Sequence, residues 1–203
     1  QPYGKYAPSY AGTRKEARGS TEQHSRTMIT DCIFLFGPRA CGKSTVAKEM
    51  ASLLDEWTAV DIDYEFRLKH KPLFGTPDTQ WNINYYEACR EILLESIDRE
   101  KLIVALGGGA LVNDVSPDVG AQNLQTCRRR GKLVLLLPSR LHRRNHHILY
   151  RRERRRDYHI GREQVSRLYD SRISYMKSYA DTVIYGREPE RIARKIIKRF
   201  RLV

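Results

Sequence analysis

Short apolar runs recur along the chain, and segments with helical periodicity lie between them. The runs predict buried strands at residues 30–36, 57–62, 101–106, 132–137 and 181–185. In the intervening segments and near the end of the chain, apolar positions recur every three or four residues, which predicts amphipathic helices. Because strands that alternate with helices usually form a parallel sheet covered on both faces, we predict one three-layer α/β domain with five parallel strands.

The composition adds two expectations. Residues 1–27 show neither helical nor strand periodicity and are rich in Gly, Ser, Thr, Pro and charged residues. We therefore expect a flexible basic tail or an added sequence there, before a single domain at residues 28–203. No apolar run reaches eighteen residues, and the four cysteines form no C-x-x-C pair. We therefore expect a cytoplasmic protein with reduced thiols and no membrane partner, most simply a monomer.

The stretch after the first predicted strand carries the strongest chemical signal. Residues 37–44 read G-P-R-A-C-G-K-S and fit the phosphate-binding pattern G-x-x-x-x-G-K-S/T, with a strand before and a helix after. In such a loop, backbone N–H groups face phosphate oxygens, the lysine reaches the outer phosphates and the hydroxyl ligates Mg²⁺. The residues expected to bind ATP are Gly37, Arg39, Ala40, Cys41, Gly42, Lys43, Ser44 and Thr45. Lys43 is also a catalytic candidate.

Two carboxylates follow the second predicted strand. Asp61 and Asp63 lie two positions apart, so strand alternation would place both on one side, at the edge where parallel sheets bind ligands. One could hold Mg²⁺, directly or through water, and the other could accept a proton from an attacking hydroxyl. A helix N-cap beside a surface aspartate would give the same pattern.

Glycines occupy residues 107–109, directly after the third predicted strand. They allow either a close approach of a small ligand to the backbone or a sharp turn. On the helix predicted before that strand, Tyr85, Cys89 and Leu93 form a stripe that we interpret as packing.

Positive charge is concentrated in one part of the chain. The net charge is +13, and residues 127–163 hold thirteen Lys and Arg but three Asp and Glu. This segment would attract anions such as ATP, a small acidic substrate or nucleic acid, and a solvated basic face is the other interpretation. Nucleic acid is less favoured because few aromatic residues are interleaved with the arginines.

The most basic part of this segment is residues 151–159, R-R-E-R-R-R-D-Y-H. Because such a run cannot belong to a core, we predict an arginine-rich lid over about residues 150–162 that closes over the phosphates. Just before it, His146 and His147 are adjacent rather than at helical spacing and lack Cys or carboxylate partners, so we expect no metal cluster there.

Four motifs in this order resemble those of shikimate kinases. They are the phosphate loop, D-x-D at residues 61–63, L-G-G-G-A at residues 106–110 and R-x₇-A-D at residues 172–181. The resemblance covers about residues 29–200 and implies a nucleoside-monophosphate-kinase-like fold with sheet order 2-3-1-4-5. It also implies transfer of the γ-phosphoryl group of ATP to the 3-hydroxyl of shikimate, in aromatic amino-acid biosynthesis.

The resemblance implies roles on the ATP side. Ser44 and Asp61 would organise Mg²⁺, and Arg187 would lie by the adenine. The family's lid arginine falls near position 153, so Arg152 and Arg154 are the catalytic candidates.

On the acceptor side, Asp63 would bind the hydroxyl and act as the base, while Arg172 would pair with the substrate carboxylate. The family also has a second carboxylate-binding arginine where this chain has Tyr86 or Glu87, and Arg90, one turn away, is the expected substitute. The residues expected at the acceptor are Asp63, Arg90, Gly107, Gly108, Gly109 and Arg172.

The chain departs from the family at this arginine and in its lid, which has no R-P motif. Both departures concern the acceptor site and the closing lid rather than the ATP site. The alternatives are therefore a kinase of another acidic, nucleotide or nucleic-acid-end acceptor, or a non-catalytic regulator that binds ATP.

Overall fold

The computed structural model describes residues 32–70, 83–157 and 159–202. The strands in these ranges are β1 Cys32–Phe36, β2 Thr58–Asp61, β3 Leu102–Ala105, β4 Gly131–Leu137 and β5 Thr182–Tyr185. The helices are α1 Lys43–Leu53, α2 Ile62–Lys69, α3 Ile83–Ser96, α4 Pro117–Arg130, α5 His142–Glu153, α6 Arg162–Tyr179 and α7 Pro189–Phe200. The tail predicted at residues 1–27 lies outside the described residues.

The five strands form one parallel sheet in the order β2-β3-β1-β4-β5. This confirms the predicted α/β class and the strand order that the resemblance implies. Each residue of β1 is at most 2% exposed, because β1 is the central strand and has a partner on both edges. Such two-sided burial explains why β1 is an unbroken apolar run rather than an alternating one.

The register brings the carboxyl ends of the strands together. Ala105 at the end of β3 pairs with Leu35 of β1 on one side and with Asp61 of β2 on the other. The phosphate loop, the aspartates and residues 107–109 therefore leave the sheet at one edge, where ligands bind in open parallel sheets.

Gly131 belongs to both a helix end and a strand start. It caps α4 and is also the first residue of β4, opposite Cys32. A methyl group at this position would collide with the carbonyl oxygen of Cys32. Only glycine therefore allows the chain to pass from α4 into the sheet within one residue.

Two boundaries differ from the sequence prediction. The strand β2 ends at Asp61, so Asp63 lies in the first turn of α2 rather than on a strand. The helix α5 continues to Glu153, which is 1% exposed, so the expectation that residues 151–159 stay outside the core is wrong at this residue. None of the helices in the described ranges has the length and apolarity needed to cross a membrane.

Candidate active site

The phosphate loop turns sharply between β1 and α1. Gly37 and Gly42 have φ values of 144° and 107°, and Ala40 has a φ of 62°. Left-handed values at nearby positions allow backbone N–H groups to converge on one anion. Gly37 is also required sterically, because a methyl group there would lie 2.7 Å from the carbonyl oxygen of Leu136.

The Lys43 side chain folds back over this loop. Its ammonium group donates hydrogen bonds to the carbonyl oxygens of Gly37 at 3.2 Å and Pro38 at 3.3 Å, and the residue is buried. Ser44 and Thr45 follow in the first turn of α1. The positive end of the helix dipole and the lysine charge therefore act at the same place, which favours phosphate.

A cavity of about 360 Å³ extends from the loop to the carboxyl edge of the sheet. Its size suits a small ligand or part of a nucleotide. Its lining includes Ala40, Cys41, Gly42, Lys43, Ser44, Thr45, Asp61, Asp63, Arg67, Arg152, Arg156 and Arg187. The structure thus brings the predicted phosphate, metal and base candidates into one space.

Asp61 has two roles in the structure. Its Oδ1 accepts a hydrogen bond from the Tyr64 N–H at 3.2 Å and caps α2, and the residue also lines the cavity. The capping alternative is therefore correct for Asp61, without removing it from the site. A carboxylate and the Ser44 hydroxyl on one cavity are oxygen donors of the kind that Mg²⁺ prefers, so these residues fit the metal.

Asp63 is held by a tyrosine from α3. The Tyr85 hydroxyl donates to Asp63 Oδ1 at 2.7 Å, so the interpretation of Tyr85 as a packing residue is incomplete. Burial raises the pKa of Tyr85 well above its ordinary value, and the neighbouring Asp63 charge acts in the same direction. The hydroxyl therefore keeps its proton and remains a donor to the carboxylate.

The glycines link Asp63 to a buried arginine. A methyl group at Gly107 would lie 2.6 Å from Asp63 Oδ1, and one at Gly109 would lie 3.3 Å from Arg172 Nη1. Between them, Gly108 faces the backbone of Arg39. A methyl group at Gly108 would lie 3.4 Å from the backbone nitrogen of Arg39. Close approach, not left-handed backbone, is therefore the reason for glycine at positions 107 and 109, whereas an added methyl group at Gly108 would make an ordinary van der Waals contact.

Of the two lid candidates, the structure places Arg152 over the phosphate loop. Its Nη1 donates to the carbonyl oxygen of Cys41 at 3.1 Å, and its Nη2 lies 3.4 Å from that of Arg187. Arg154 is the exposed C-cap residue that follows α5, and it is not among the cavity-lining residues in the described part of the chain. Arg156, which the sequence reasoning did not single out, does line the cavity.

A buried ion pair joins the loop to this end of α5. Arg39 Nε donates to Glu153 Oε1 at 2.6 Å, across 114 residues of sequence. The same oxygen accepts from the Ile160 N–H at 3.4 Å, and Glu153 Oε2 lies 3.9 Å from Arg156 Nε. The side chain of Arg39, which we predicted to bind the nucleotide, thus contacts Glu153. Its contact with the phosphates stays a prediction.

Comparison with known proteins shows the family of the chain. A family model described as shikimate kinase matches residues 39–201. The chain belongs to the shikimate kinase family. A shikimate kinase from Chlorobium phaeobacteroides (strain BS1) is 35% identical over 83 residues, which are 40% of this chain and 41% of that protein. The chain therefore matches less than half the length of this relative.

Solved shikimate kinases have the same fold. That of Acinetobacter baumannii, in complex with shikimate, has a TM-score of 0.65 at 25% identity, over 83% of this chain and 92% of the other. The shikimate kinase of Bacteroides thetaiotaomicron has a TM-score of 0.67 at 20% identity, over 85% of this chain and 99% of the other. The second likeness supports the fold alone.

The acceptor side of this shikimate kinase family member differs from the expected pattern at α3. Tyr86 and Arg172 are the nearest neighbours of Gly109, whereas Arg90 donates to Asn123 Oδ1 at 3.0 Å. Burial raises the pKa of Tyr86 to about 12, although the Arg172 guanidinium acts in the opposite direction. Tyr86, rather than Arg90, thus occupies the place beside Arg172.

Two buried polar atoms at this place have no hydrogen-bond partner in the described ranges, namely Tyr86 Oη and Arg172 Nε. Buried donors usually have a partner, and leaving one unpaired costs about 1–3 kcal/mol. Both groups are donors that an anionic oxygen could satisfy. This observation supports a carboxylate-bearing ligand at Gly109.

We expect Tyr85→Phe to change the pH dependence of stability at alkaline pH. Because the folded-state pKa of Tyr85 is raised, the unfolded chain loses this proton first, at about pH 10, and the free energy of unfolding falls as the pH rises further. Removal of the hydroxyl should make this fall shallower by up to about 1.4 kcal/mol per pH unit. Urea unfolding between about pH 9 and 11 measures the slope. Equal slopes for Tyr85→Phe and the exposed control Tyr175→Phe would contradict the expectation.

We expect Glu153→Gln to lower the free energy of unfolding by about 1–3 kcal/mol, because the buried Arg39 contact loses its charged acceptor. Glu95→Gln is the matched control, since Glu95 forms an exposed pair with Lys69 that should contribute less than about 1 kcal/mol. Urea denaturation of both variants at neutral pH makes the comparison. A loss for Glu153→Gln no larger than that for Glu95→Gln would refute the structural role of the pair.

Proposed function

We propose that this chain is a Mg²⁺-dependent kinase that transfers the γ-phosphoryl group of ATP to a hydroxyl of shikimate. One observation carries the proposal. Residues 107–109 lie between Asp63, which lines the same cavity as the phosphate loop, and Arg172, which is buried with an unpaired donor. A small hydroxy acid across these glycines would have its hydroxyl at Asp63 and its carboxylate at Arg172.

The nucleotide half of the site would be formed by the loop. Its N–H groups and Lys43 would bind the phosphates, and Arg187 would lie by the adenine. Ser44 and Asp61 would hold Mg²⁺, which when bound neutralises charge on the β- and γ-phosphate oxygens. All four side chains line the same cavity, which supports this assignment.

Asp63 would act as the general base. Its Oδ1 accepts from Tyr85, which leaves Oδ2 to accept the proton of the attacking hydroxyl. Tyr85 is then a positioning residue, because it fixes the carboxylate and does not itself contact the reacting atoms. The hydroxyl oxygen would attack the γ-phosphorus, and the β-phosphate oxygen would leave on ADP.

Arg152 would stabilise the charge on the transferred group. Its guanidinium lies over the loop carbonyls, and burial lowers its pKa, although an arginine keeps its charge at neutral pH. A partly desolvated cation interacts more strongly with developing negative charge than a fully hydrated one. Arg156 lines the same cavity and would add to the positive field.

Another acidic hydroxy compound is the second candidate acceptor. The specific observation in its favour is Tyr86, which stands beside Arg172 where the family pattern leads us to expect an arginine. A neutral donor in place of a cation would suit an acceptor with fewer or differently placed anionic oxygens.

The decisive experiment measures ADP release with ATP and Mg²⁺, with and without shikimate. We expect release that depends on shikimate, and a fall of about 10²–10⁴-fold in turnover for Asp63→Asn with ATP binding retained, because only the base is lost. Asp98→Asn, at an exposed position away from the site, is the control and should keep full turnover.

Normal turnover in Asp63→Asn would exclude this aspartate as the base. ADP release that depends on another hydroxy acid, and not on shikimate, would replace the acceptor while keeping the kinase. ATP binding without turnover on any hydroxy acid would favour the non-catalytic regulator.

A second prediction separates the two lid arginines. Arg152→Ala should lower kcat by at least about tenfold, because it removes a cation from the phosphate cavity. Arg154→Ala removes an equal charge from an exposed position two residues away and should leave kcat within about twofold. Steady-state kinetics at saturating ATP compares them. A larger loss in Arg154→Ala would reverse the assignment.

A further inference from the structure

Three potential metal ligands meet on the surface between α5 and α6. His142 and His146 are four residues apart on α5, and Asp170 faces them from α6. The ligand atoms of the three side chains all lie within 4.8 Å of one another. The expectation that the pair His146-His147 lacks a carboxylate partner is therefore wrong for His146, which contacts Asp170. His142, which the sequence reasoning did not single out, stands at helical spacing from His146.

The three ligand atoms form a nearly equilateral triangle. Asp170 Oδ1 lies 2.7 Å from His142 Nε2 and 2.9 Å from His146 Nε2, and the two nitrogens are 3.2 Å apart. Ligands at about 2.0–2.1 Å from a tetrahedral Zn²⁺ are about 3.3 Å from one another. The sides of the triangle therefore need to lengthen by about 0.1–0.6 Å to hold the ion.

Hydrogen bonds alone cannot account for all three contacts among these ligand atoms. Each contact with Asp170 needs a hydrogen on the histidine Nε2, while the contact between the two nitrogens needs one of them to carry a lone pair. All three contacts cannot be hydrogen bonds at once. A metal cation replaces the protons, and each of the three atoms then directs a lone pair at it.

The surroundings of the triangle also suit a metal. His146 Nδ1 lies 2.8 Å from Ser166 Oγ, and donation from Nδ1 to this oxygen leaves the lone pair on Nε2, which is the tautomer that binds metal. Tyr169 packs against both imidazole rings and holds their orientation. His142 and Asp170 are each 51% exposed, so an ion can enter from solvent and a water can complete the tetrahedron.

We propose that His142, His146 and Asp170 form a Zn²⁺ site that joins α5 to α6. The contacts of His142 with Asp170 and of His146 with Ser166 indicate antiparallel helices, which are joined at their other end by residues 154–161. The metal would therefore fix this helical hairpin at the end opposite the lid. None of the three ligands is among the residues that line the phosphate cavity, so the site lies outside that cavity.

The test is a Zn²⁺ titration of the full chain without an affinity tag, freed of metal and in the absence of nucleotide, with a chromophoric zinc chelator as competitor. We expect one equivalent of Zn²⁺ to bind to the wild type and to the variant His147→Gln. This variant is the control, because it alters an exposed histidine of the same helix. His142→Gln and Asp170→Asn each remove a ligand and should weaken binding by at least about tenfold. Zn²⁺ should raise the melting temperature of the first two proteins more than that of the ligand variants.

A second measurement covers the case of a variant that fails to fold. The wild type loaded with Co²⁺ should show the visible absorption of a tetrahedral site with nitrogen and oxygen ligands, and Zn²⁺ should remove it. Failure of the wild type to bind one equivalent would overturn the proposal. Equal affinity for Zn²⁺ in His147→Gln and in the two ligand variants would also overturn it. A cobalt spectrum that indicates six oxygen ligands would have the same consequence.

Discussion

The sharp turn between β1 and α1 determines where the other groups of the site lie. The turn requires positive φ at Gly37, Ala40 and Gly42, and it begins at the end of a strand that is buried on all sides. A strand held in this way cannot shift, so the loop has a fixed position at the edge of the sheet. The aspartates after β2 and the glycines after β3 reach the same place because their strands are in register with β1.

The loop is also held from the opposite side by the Arg39–Glu153 pair. This contact matters for function because Arg152, the residue next to Glu153, lies over the loop carbonyls. A carboxylate that is buried and bonded to the loop therefore fixes the end of α5, and with it the position of a cation. The segment predicted as an arginine-rich lid thus contains an acidic residue with a structural role.

The parts of the site that could be predicted from the sequence are those whose residues are close in the chain. The phosphate loop is contiguous and Asp61 and Asp63 are two positions apart, so spacing alone indicated their chemistry. Tyr85, Glu153 and the histidine cluster could not be found in this way, because each acts through a partner on another element. Strand alternation also failed for Asp63, because α2 begins one residue after the strand and the helical turn, not the pleat, directs this side chain.

The distance in sequence between Arg39 and Glu153 has a consequence for how the protein is made. The loop leaves the ribosome 114 residues before its acidic partner, an interval on the order of ten seconds at ordinary rates of translation. During this time the nascent chain contains the strand, the loop and the first helix, but not the carboxylate that fixes them. The nucleotide site therefore reaches its final form only when the segment that contains Glu153 has been synthesised and has folded back onto the loop.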